Sequence, residues 1–457
     1  MVDNRMSLLM PPQPQPLDVV YGRIGLGPFH FFSFLAVGCY FVTESLMNFY
    51  IYVIAKAAES QWSLSDSQFF SLLVARDCGV ILTGVTLPWL GDKYGRLTAT
   101  RWGLIGRFLA SMLAVSALSY RWLVAGLFLS GCFLGFNRPA VSSFAIEIMP
   151  VRLRGAILIG LFVFILSGAL GSAALTIYLL PTEKEDSWRT LLLICSLPMF
   201  LGLIGAYLLF VESPRYLAMV GKPLRAVRYI NKMAKCNLKS QLTPEEIAIV
   251  CSQPVRKHFS LREATQRLLS PHYRPRLCFA MWFWFITGYQ YAACMSSFPH
   301  NLEPYTSNPL MPLEIAALAN AVFIPMPTVE MPAIGRKGTL KGFVVLQAVF
   351  CFSAILMDNH FAFAIAVIPY VVALTLSLRV LFPFTLELFE TSIRCYSFGL
   401  CFAAARFGAI LSKLQEVHMH ENSVVILLVF NFIGLIVLDK SPYETVGQPL
   451  VDYTGKV

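Results

Sequence analysis

Long apolar segments alternate with short polar ones along almost the whole chain. Each apolar segment is close to the ~20 residues that a helix needs to cross a lipid bilayer. The segments lie near 29–55, 69–90, 98–118, 122–149, 155–180, 188–211, 277–299, 313–331, 340–357, 361–386, 395–414 and 422–438. Pro325, Pro327 and Pro332 weaken the helical pattern of the eighth segment. The pattern predicts an all-α membrane protein with twelve transmembrane helices.

One long polar stretch divides these segments into two sets of six. The predicted regions are an N-terminal tail (1–28), a six-helix half (29–211), a central loop (212–276), a second six-helix half (277–438) and a C-terminal tail (439–457). The central loop is rich in Lys and Arg, which favour the cytosolic side of a membrane. We therefore expect the central loop and both tails to be cytosolic, in a plasma membrane or an intracellular vesicle membrane.

The composition supports this interpretation and limits the function. Of 457 residues, 56% are hydrophobic and 14% are charged, whereas a soluble domain has about 25% charged residues. This excludes a soluble enzyme, a disordered protein and a nucleic-acid binder. The net charge of +10 lies mostly on one predicted face, so it indicates orientation in the bilayer, not a nucleic-acid partner.

The central loop contains a basic segment with helical spacing, 222-KPLRAVRYINKMAK-235. Two interpretations are open for it. It is either a solvated amphipathic helix that braces the bundle, or a helix along the membrane surface that binds lipid.

A spacing of 240 residues relates the two halves. Four positions of the first half recur in the second: Gly95 as Gly335, Arg96 as Arg336, Glu147 as Glu387, and Arg154 as Arg394. The Glu-x6-Arg spacing occurs only at these two places in the chain. Two unrelated pairs with one offset indicate two parallel, pseudo-symmetric six-helix halves, an arrangement typical of transporters with a site between the halves.

The run 91-GDKYGRL-97 contains Gly91, Asp92, Gly95 and Arg96 and resembles the loop 2–3 signature of the major facilitator superfamily. The resemblance implies the major facilitator fold and a cytosolic latch between the halves. Asp92 is expected to accept hydrogen bonds from a helix N-terminus or to pair with an Arg. Pro332 replaces the equivalent Asp of the second half, so a weaker latch is expected there.

Two further stretches resemble particular branches of this superfamily. The run 212-ESPRYL-217, with Glu212 and Arg215, resembles a motif of sugar porters and organic-ion transporters. The run 387-ELFETSIRCYSFGLCFAAARFGAI-410 resembles a signature of organic cation/anion transporters and synaptic-vesicle-glycoprotein relatives, with Glu390 in place of the usual Pro. The space between the first two segments, about 56–68, is short, which places the chain nearer the vesicle-protein-like relatives.

Charged residues inside the predicted helices are the candidates for binding and coupling. An ionisable group there costs about 2.5–3.5 kcal/mol and usually faces a cavity or a partner. The candidates are Glu44, Arg76, Asp77, Arg107, Arg138, Arg379 and Arg406. Glu147, Arg154, Glu387 and Arg394 lie at helix ends, where ion pairs that brace a closed gate are expected instead.

Arg406 has two open interpretations. The resemblance places it near a central cavity, where an Arg can bind a carboxylate or sulfate with two hydrogen bonds; otherwise it packs against backbone carbonyls or an acid. Asp77 is expected to partner a basic group. Glu44 has no neighbour of opposite charge in sequence and is the better candidate for coupling to a proton or sodium ion.

These features predict a transporter that moves a small organic solute, preferably anionic or zwitterionic, by alternating access. The alternative is a transporter-like membrane protein with a receptor, trafficking or structural role and no flux. No P-loop, catalytic triad or metal-binding pattern is present in the sequence. We therefore expect no enzyme activity, no cofactor and no metal.

Overall fold

The computed structural model describes residues 16–150, 154, 160–179, 187–255, 259–302, 326–356, 360–418, 423–445 and 450. The N-terminal tail contains α1 (Pro16–Ile24). The first half contains α2 (Pro28–Trp62), α3 (Asp66–Thr86), α4 (Trp89–Tyr94), α5 (Arg96–Val115), α6 (Tyr120–Glu147), α7 (Phe162–Leu179) and α8 (Ser187–Leu208). The central loop contains α9 (Pro214–Met219), α10 (Pro223–Cys236), α11 (Pro244–Cys251) and α12 (Leu261–Leu268). The remaining helices are α13 (Arg274–Leu302), α14 (Met326–Ile355), α15 (His360–Glu387), α16 (Arg394–His418) and α17 (Ser423–Lys440).

Helices occupy the predicted transmembrane segments wherever the structure describes them. Among the described residues, seven helical stretches are long and apolar enough to cross a membrane. Of the eighth segment, 313–325 lies outside the described residues, and the end of that segment begins α14. This helix is interrupted at Gly335, which has φ +78° and marks the passage from the eighth segment to the ninth.

The structure differs from the sequence prediction at the end of α2 and in the N-terminal tail. The helix α2 continues to Trp62, so that only Ser63, Leu64 and Ser65 connect it to α3. The connection between α2 and α3 is shorter than the sequence predicts, because residues 56–62, four of which are polar, continue the helix. The N-terminal tail also contains a helix, α1, whose residues Leu17, Val20, Tyr21 and Ile24 are buried.

The two halves meet most closely where α3 lies along α16. Gly84 and Gly399 allow this contact, because a Cβ on Gly399 would lie 2.8 Å from the Gly84 carbonyl oxygen. A larger residue at either position would force the helices apart. The close contact brings charged side chains of α3 and α16 within reach of each other.

The central-loop helices have local start signals that explain their positions. Thr243 and Glu246 form a reciprocal capping box at the start of α11, and Ser260 and Glu263 form one at the start of α12. Arg23 of α1 binds Glu246 with 2.5 Å between Nε and Oε1. The N-terminal helix and the central loop therefore pack together at one end of the bundle.

Candidate binding cavity and latch

A cavity lies between helices of the two halves. Its walls come from α2, α6 and α7 on one side and from α13, α15 and α16 on the other. Among the described residues, four charged side chains line it: Glu44, Arg138, Arg379 and Arg406. These are four of the seven charged residues that the sequence indicates as candidates, and helices distant in sequence bring them to one cavity.

An alternating chain of charges runs along one side of this cavity. Glu44 forms ion pairs with Arg138 and, at 3.3 Å from Oε1 to Nη2, with Arg406. Arg406 also contacts Asp77, with 3.4 Å between Nη1 and Oδ1. The other oxygen of Asp77 lies 2.8 Å from Nζ of Lys413. The chain of contacts therefore crosses between the two halves at Arg406 and again at Lys413.

The structure shows the partners of Arg406 and Lys413, which the sequence did not predict. Arg406 lines the cavity and also bonds to acids, so the two interpretations of this residue coexist in one geometry. Lys413 is not among the sequence candidates. It lies seven residues after Arg406 in α16, and this helical spacing, which places both on one face, is the signal that could have found it.

Two further arginines surround the chain of charges. The guanidinium of Arg76 donates to Asn48 Oδ1 at 2.9 Å. Arg107 is buried with its guanidinium carbon 5.3 Å from the ring centroid of Tyr40, and its two terminal nitrogens have no hydrogen-bond partner within the described part of the chain. Arg379 is buried on the opposite wall, 5.8 Å from the ring centroid of Phe162. Basic groups therefore outnumber the acids around the cavity.

Aromatic rings form much of the remaining wall. The guanidinium carbon of Arg138 lies 4.4 Å from the ring centroid of Phe41, and that of Arg406 lies 4.9 Å from the ring of Phe402. Trp284 lines the cavity and donates from its indole nitrogen to Thr385 Oγ1 at 2.8 Å. These contacts hold the arginines in place while leaving an apolar surface for the body of a ligand.

At one end of the bundle, a buried carboxylate joins the halves. Oε1 of Glu147 lies 3.0 Å from Arg96 Nη2 in its own half and 2.8 Å from Arg394 Nη1 in the other. Arg96 also donates to the Thr391 carbonyl of the second half. We call Asp92, Arg96, Glu147 and Arg394 the latch.

Asp92 forms the second connection of the latch. Its two oxygens accept hydrogen bonds from the backbone amides of Cys395 (3.2 Å) and Tyr396 (2.9 Å) at the start of α16. Gly91 beside it packs against the Cys395 side chain, whose sulfur lies 3.3 Å from the position of a Cβ. Burial raises the pKa of Asp92 to about 6, although Arg96 and the two amides oppose this shift.

The repeat of 240 residues has a direct structural counterpart. Arg336 binds Glu387 through two hydrogen bonds of 2.7 and 2.6 Å, as Arg96 binds Glu147. The same Arg–Glu contact therefore occurs in each half, at positions that the offset of 240 residues relates.

Gly95 and Gly335 each leave room for a carboxylate that caps the helix beginning at the next residue. Gly95 has φ +106°, and a Cβ there would overlap the Glu212 carboxylate. Glu212 accepts a hydrogen bond from the Arg96 amide at 2.9 Å, and burial raises its pKa. In the second half Glu444 caps Arg336 in the same way at 3.0 Å, next to Gly335. Sequence reasoning missed Glu444 because its distance from Glu212 is 232 residues, not 240.

The symmetry fails at Arg154. Its counterpart Arg394 joins the latch, but Arg154 lies 3.6 Å from Asp18 in α1, and Arg215 also pairs with Asp18. The side chain of Pro332, which replaces the second-half Asp, lies outside the described residues.

Glu390, the departure from the family signature, has its own partners. It is fully buried and binds Arg267 at 3.2 Å from Oε1 to Nε, and its other oxygen accepts from the Tyr273 hydroxyl at 3.2 Å. The substitution therefore fastens the end of the central loop to the connection between α15 and α16.

Comparisons with known proteins agree with this geometry. The sequence pattern of a family described as "Sugar (and other) transporter" matches residues 34–454. The chain is similar to the putative transporter SVOPL of Danio rerio, at 23% identity over 96% of this chain and 90% of the relative. It is also similar to organic cation/carnitine transporter 7 of Arabidopsis thaliana, at 23% identity over 95% and 96% of the two chains, and to the synaptic vesicle 2-related protein of Xenopus laevis, at 23% identity over 93% and 80%.

Solved structures confirm the predicted fold. The major facilitator superfamily proton:xylose symporter XylE bound to 6-bromo-6-deoxy-D-glucose aligns with a TM-score of 0.74 at 15% identity, covering 92% of this chain and 97% of XylE. The partially occluded inward open conformation of XylE from E. coli aligns with a TM-score of 0.71 at 15% identity, covering 91% and 98% of the two chains. The predicted all-α major facilitator fold of twelve transmembrane helices is therefore confirmed. By sequence, the chain belongs to the sugar (and other) transporter family, and it has the major facilitator fold.

Proposed function

We propose that the protein moves a small organic anion or zwitterion through the central cavity by alternating access. One observation carries this proposal: Arg138, Arg379 and Arg406 line the cavity, and Glu44 is the one carboxylate that lines it among the described residues. A wall with more positive than negative charge favours a solute that brings a carboxylate or sulfate. The aromatic rings beside the arginines suit an apolar body attached to that group.

The geometry indicates how such a solute would bind. The Glu44 carboxylate already occupies Arg138 and Arg406, so it holds the place that a solute carboxylate would take. A solute that displaced Glu44 from Arg406 would also weaken a contact between the halves. Binding and the rearrangement of the halves would then use the same arginine, as alternating access requires.

Glu44 is our proposed coupling residue, with a proton as the coupling ion. Protonation of its carboxylate would remove the charge that binds Arg138 and Arg406, which would free both for the solute. A sodium ion would instead need carboxylate oxygens, and Glu44 and Asp77 each already bind two basic groups. One proton would accompany each solute that displaces Glu44.

We also propose that the latch end faces the cytosol, in a plasma membrane or vesicle membrane. The support is the concentration of Lys and Arg in the central loop, which packs at this end.

The test is uptake into liposomes that contain the purified protein. Labelled organic anions, organic cations and sugars are compared, each with and without a pH gradient. Replacing Arg406 with Ala is expected to lower anion kcat/KM at least tenfold, because a hydrogen bond to a charged group contributes about 1.5–3 kcal/mol. Comparable anion uptake by wild type and Arg406→Ala would refute the anion assignment.

Arg101→Ala is the matched control for this experiment. Arg101 donates to the Ala206 carbonyl at 3.1 Å and does not line the cavity, so its loss should leave uptake near wild type.

Glu44→Gln should retain binding but lose the response to a pH gradient. Flux by wild type that ignores the gradient would indicate facilitated diffusion, and the absence of saturable flux of any solute would favour a receptor, trafficking or structural role.

A further inference from the structure

A row of basic side chains lies along the exposed face of the central-loop helix α10. Arg225, Arg228, Lys232 and Lys235 follow one another at intervals of three or four residues, and all four are exposed. At 3.6 residues per turn these positions fall within an arc of roughly 80°. We call these four residues the basic stripe.

The opposite face of α10 explains why the stripe points outward. Ala226, Ile230, Met233 and Ala234 are buried against the bundle end. The helix therefore cannot turn its basic face inward without exposing this apolar surface.

The stripe has no internal counter-charge. The sequence from 213 to 244 contains no Asp or Glu. Throughout the described ranges, none of the four stripe residues forms an ion pair, in contrast to the buried arginines of the latch. Four like charges so close together repel one another, so an external anion would stabilise them.

Both ends of α10 are held near the ends of membrane-spanning helices. Its first residue follows the end of α8 by about fifteen residues, through the short buried helix α9. At its other end, Asn237 accepts a hydrogen bond from the Phe29 amide at 3.1 Å and donates to the Gly25 carbonyl at 3.3 Å, at the start of α2. A helix fixed at both ends in this way lies close to the ends of α2 and α8, where we expect the lipid headgroups to surround the bundle.

Exposed leucines flank the stripe. Leu224 is 75% exposed at the start of α10, and Leu238 is 88% exposed just beyond its end. An apolar side chain at each end of a cationic row matches the mixed surface of lipid headgroups and upper acyl chains better than it matches water.

We propose that the basic stripe binds the headgroups of anionic phospholipids at the surface of the membrane that holds the protein. This interaction is separate from transport through the central cavity. Each Lys or Arg near an anionic membrane surface strengthens binding by roughly fivefold, so the loss of two should weaken binding roughly thirtyfold.

The experiment uses the full-length protein in neutral detergent, titrated with dioctanoyl phosphatidylserine, with bound lipid counted by native mass spectrometry. Dioctanoyl phosphatidylcholine is the lipid control. The test variant is Arg228→Gln with Lys232→Gln. The matched control is Lys56→Gln with Arg121→Gln, which removes the same charges from two exposed positions at the opposite end of the bundle.

Wild type and the control variant are expected to bind phosphatidylserine with similar affinity, while the stripe variant binds it roughly thirtyfold more weakly. Unchanged thermal unfolding of both variants would show that the fold is intact. Equal phosphatidylserine binding by the stripe and control variants would overturn the proposal. So would a wild type that prefers phosphatidylserine no more than phosphatidylcholine, an outcome that would point to an acidic protein partner instead.

Discussion

The cross-half role of Glu147 gives the sharpest prediction, because the repeat supplies its control. Glu147 binds Arg96 in its own half and Arg394 in the other, whereas Glu387 binds Arg336 in its own half. Glu147→Gln and Glu387→Gln therefore each disturb a buried ion pair in equivalent surroundings. Only the first removes a hydrogen-bonded ion pair between the halves, because the interaction of Glu387 with Arg154 across the halves acts at longer range.

The expected magnitudes follow from this difference. Removing one partner of a buried ion pair costs about 3–5 kcal/mol, so both variants should unfold at lower temperature than wild type. The cross-half part is the charged hydrogen bond from Arg394 to Glu147, which contributes about 1.5–3 kcal/mol to the closed latch. Its loss should raise the population with an open latch by about ten- to a hundredfold in Glu147→Gln alone.

The assay is labelling of Cys395 with a maleimide in a protein where Cys395 is the sole cysteine. This thiol is buried in the latch beside Gly91, so it becomes accessible when the halves separate at this end. Glu147→Gln should be labelled ten- to a hundredfold faster than wild type, and Glu387→Gln at close to the wild-type rate. Equal labelling of the two variants would refute the assignment of Glu147 as the connection between the halves.

Three more predictions use the same protein. Gly95→Ala should lower the unfolding temperature, because φ +106° strains an alanine and its methyl group would overlap the capping carboxylate; Gly342→Ala, in open space, should not lower it. The raised pKa of Asp92 means that the buried latch favours its protonated form, so closure gains stability as pH falls through about 6 and loses it as pH rises. The distance between spin labels on the two halves should therefore show about tenfold more closed latch, relative to open, at pH 5 than at pH 8; a pH-independent ratio would contradict this. Lys413→Gln should slow maleimide labelling of the latch thiol. The bond from Lys413 to Asp77 joins the halves about 28 Å along α16 from the latch, so its loss favours opening at that end, and in alternating access the latch is then closed. Lys413→Arg should keep the wild-type rate.

The asymmetry between the halves bears on how the transporter would move. The first-half Asp92 caps α16, whereas Pro332 stands at the equivalent position of the second half. The additional bond from Arg267 to Glu390 holds the central loop to the second half beside the latch. The last helix of the central loop, α12, is thus positioned to move with α16 when the latch opens, whereas Asn237 holds α10 to the first half and Glu246 holds α11 to α1.

The number of transmembrane helices, their division into two halves and the repeat that relates them could all be predicted from the sequence. These features depend on local composition and spacing: a helix must hide its backbone from lipid, and a 240-residue offset is visible without coordinates. The predicted positions of Gly95 and Gly335 also needed only the motif, since both glycines adopt positive φ.

Which charged side chains contact each other could not be predicted from the sequence, because it depends on how the helices pack. Glu44 and Arg406 are 362 residues apart, and Glu147 and Arg394 are 247 apart, so no local pattern pairs them. Lys413 could not be predicted as a partner of Asp77, because a single Lys near a helix end has the sequence pattern of a surface residue. The contact forms only when α3 packs against α16. Ion pairs in a membrane protein depend on which helices are neighbours, and the order of residues in the chain does not contain that information in any short window.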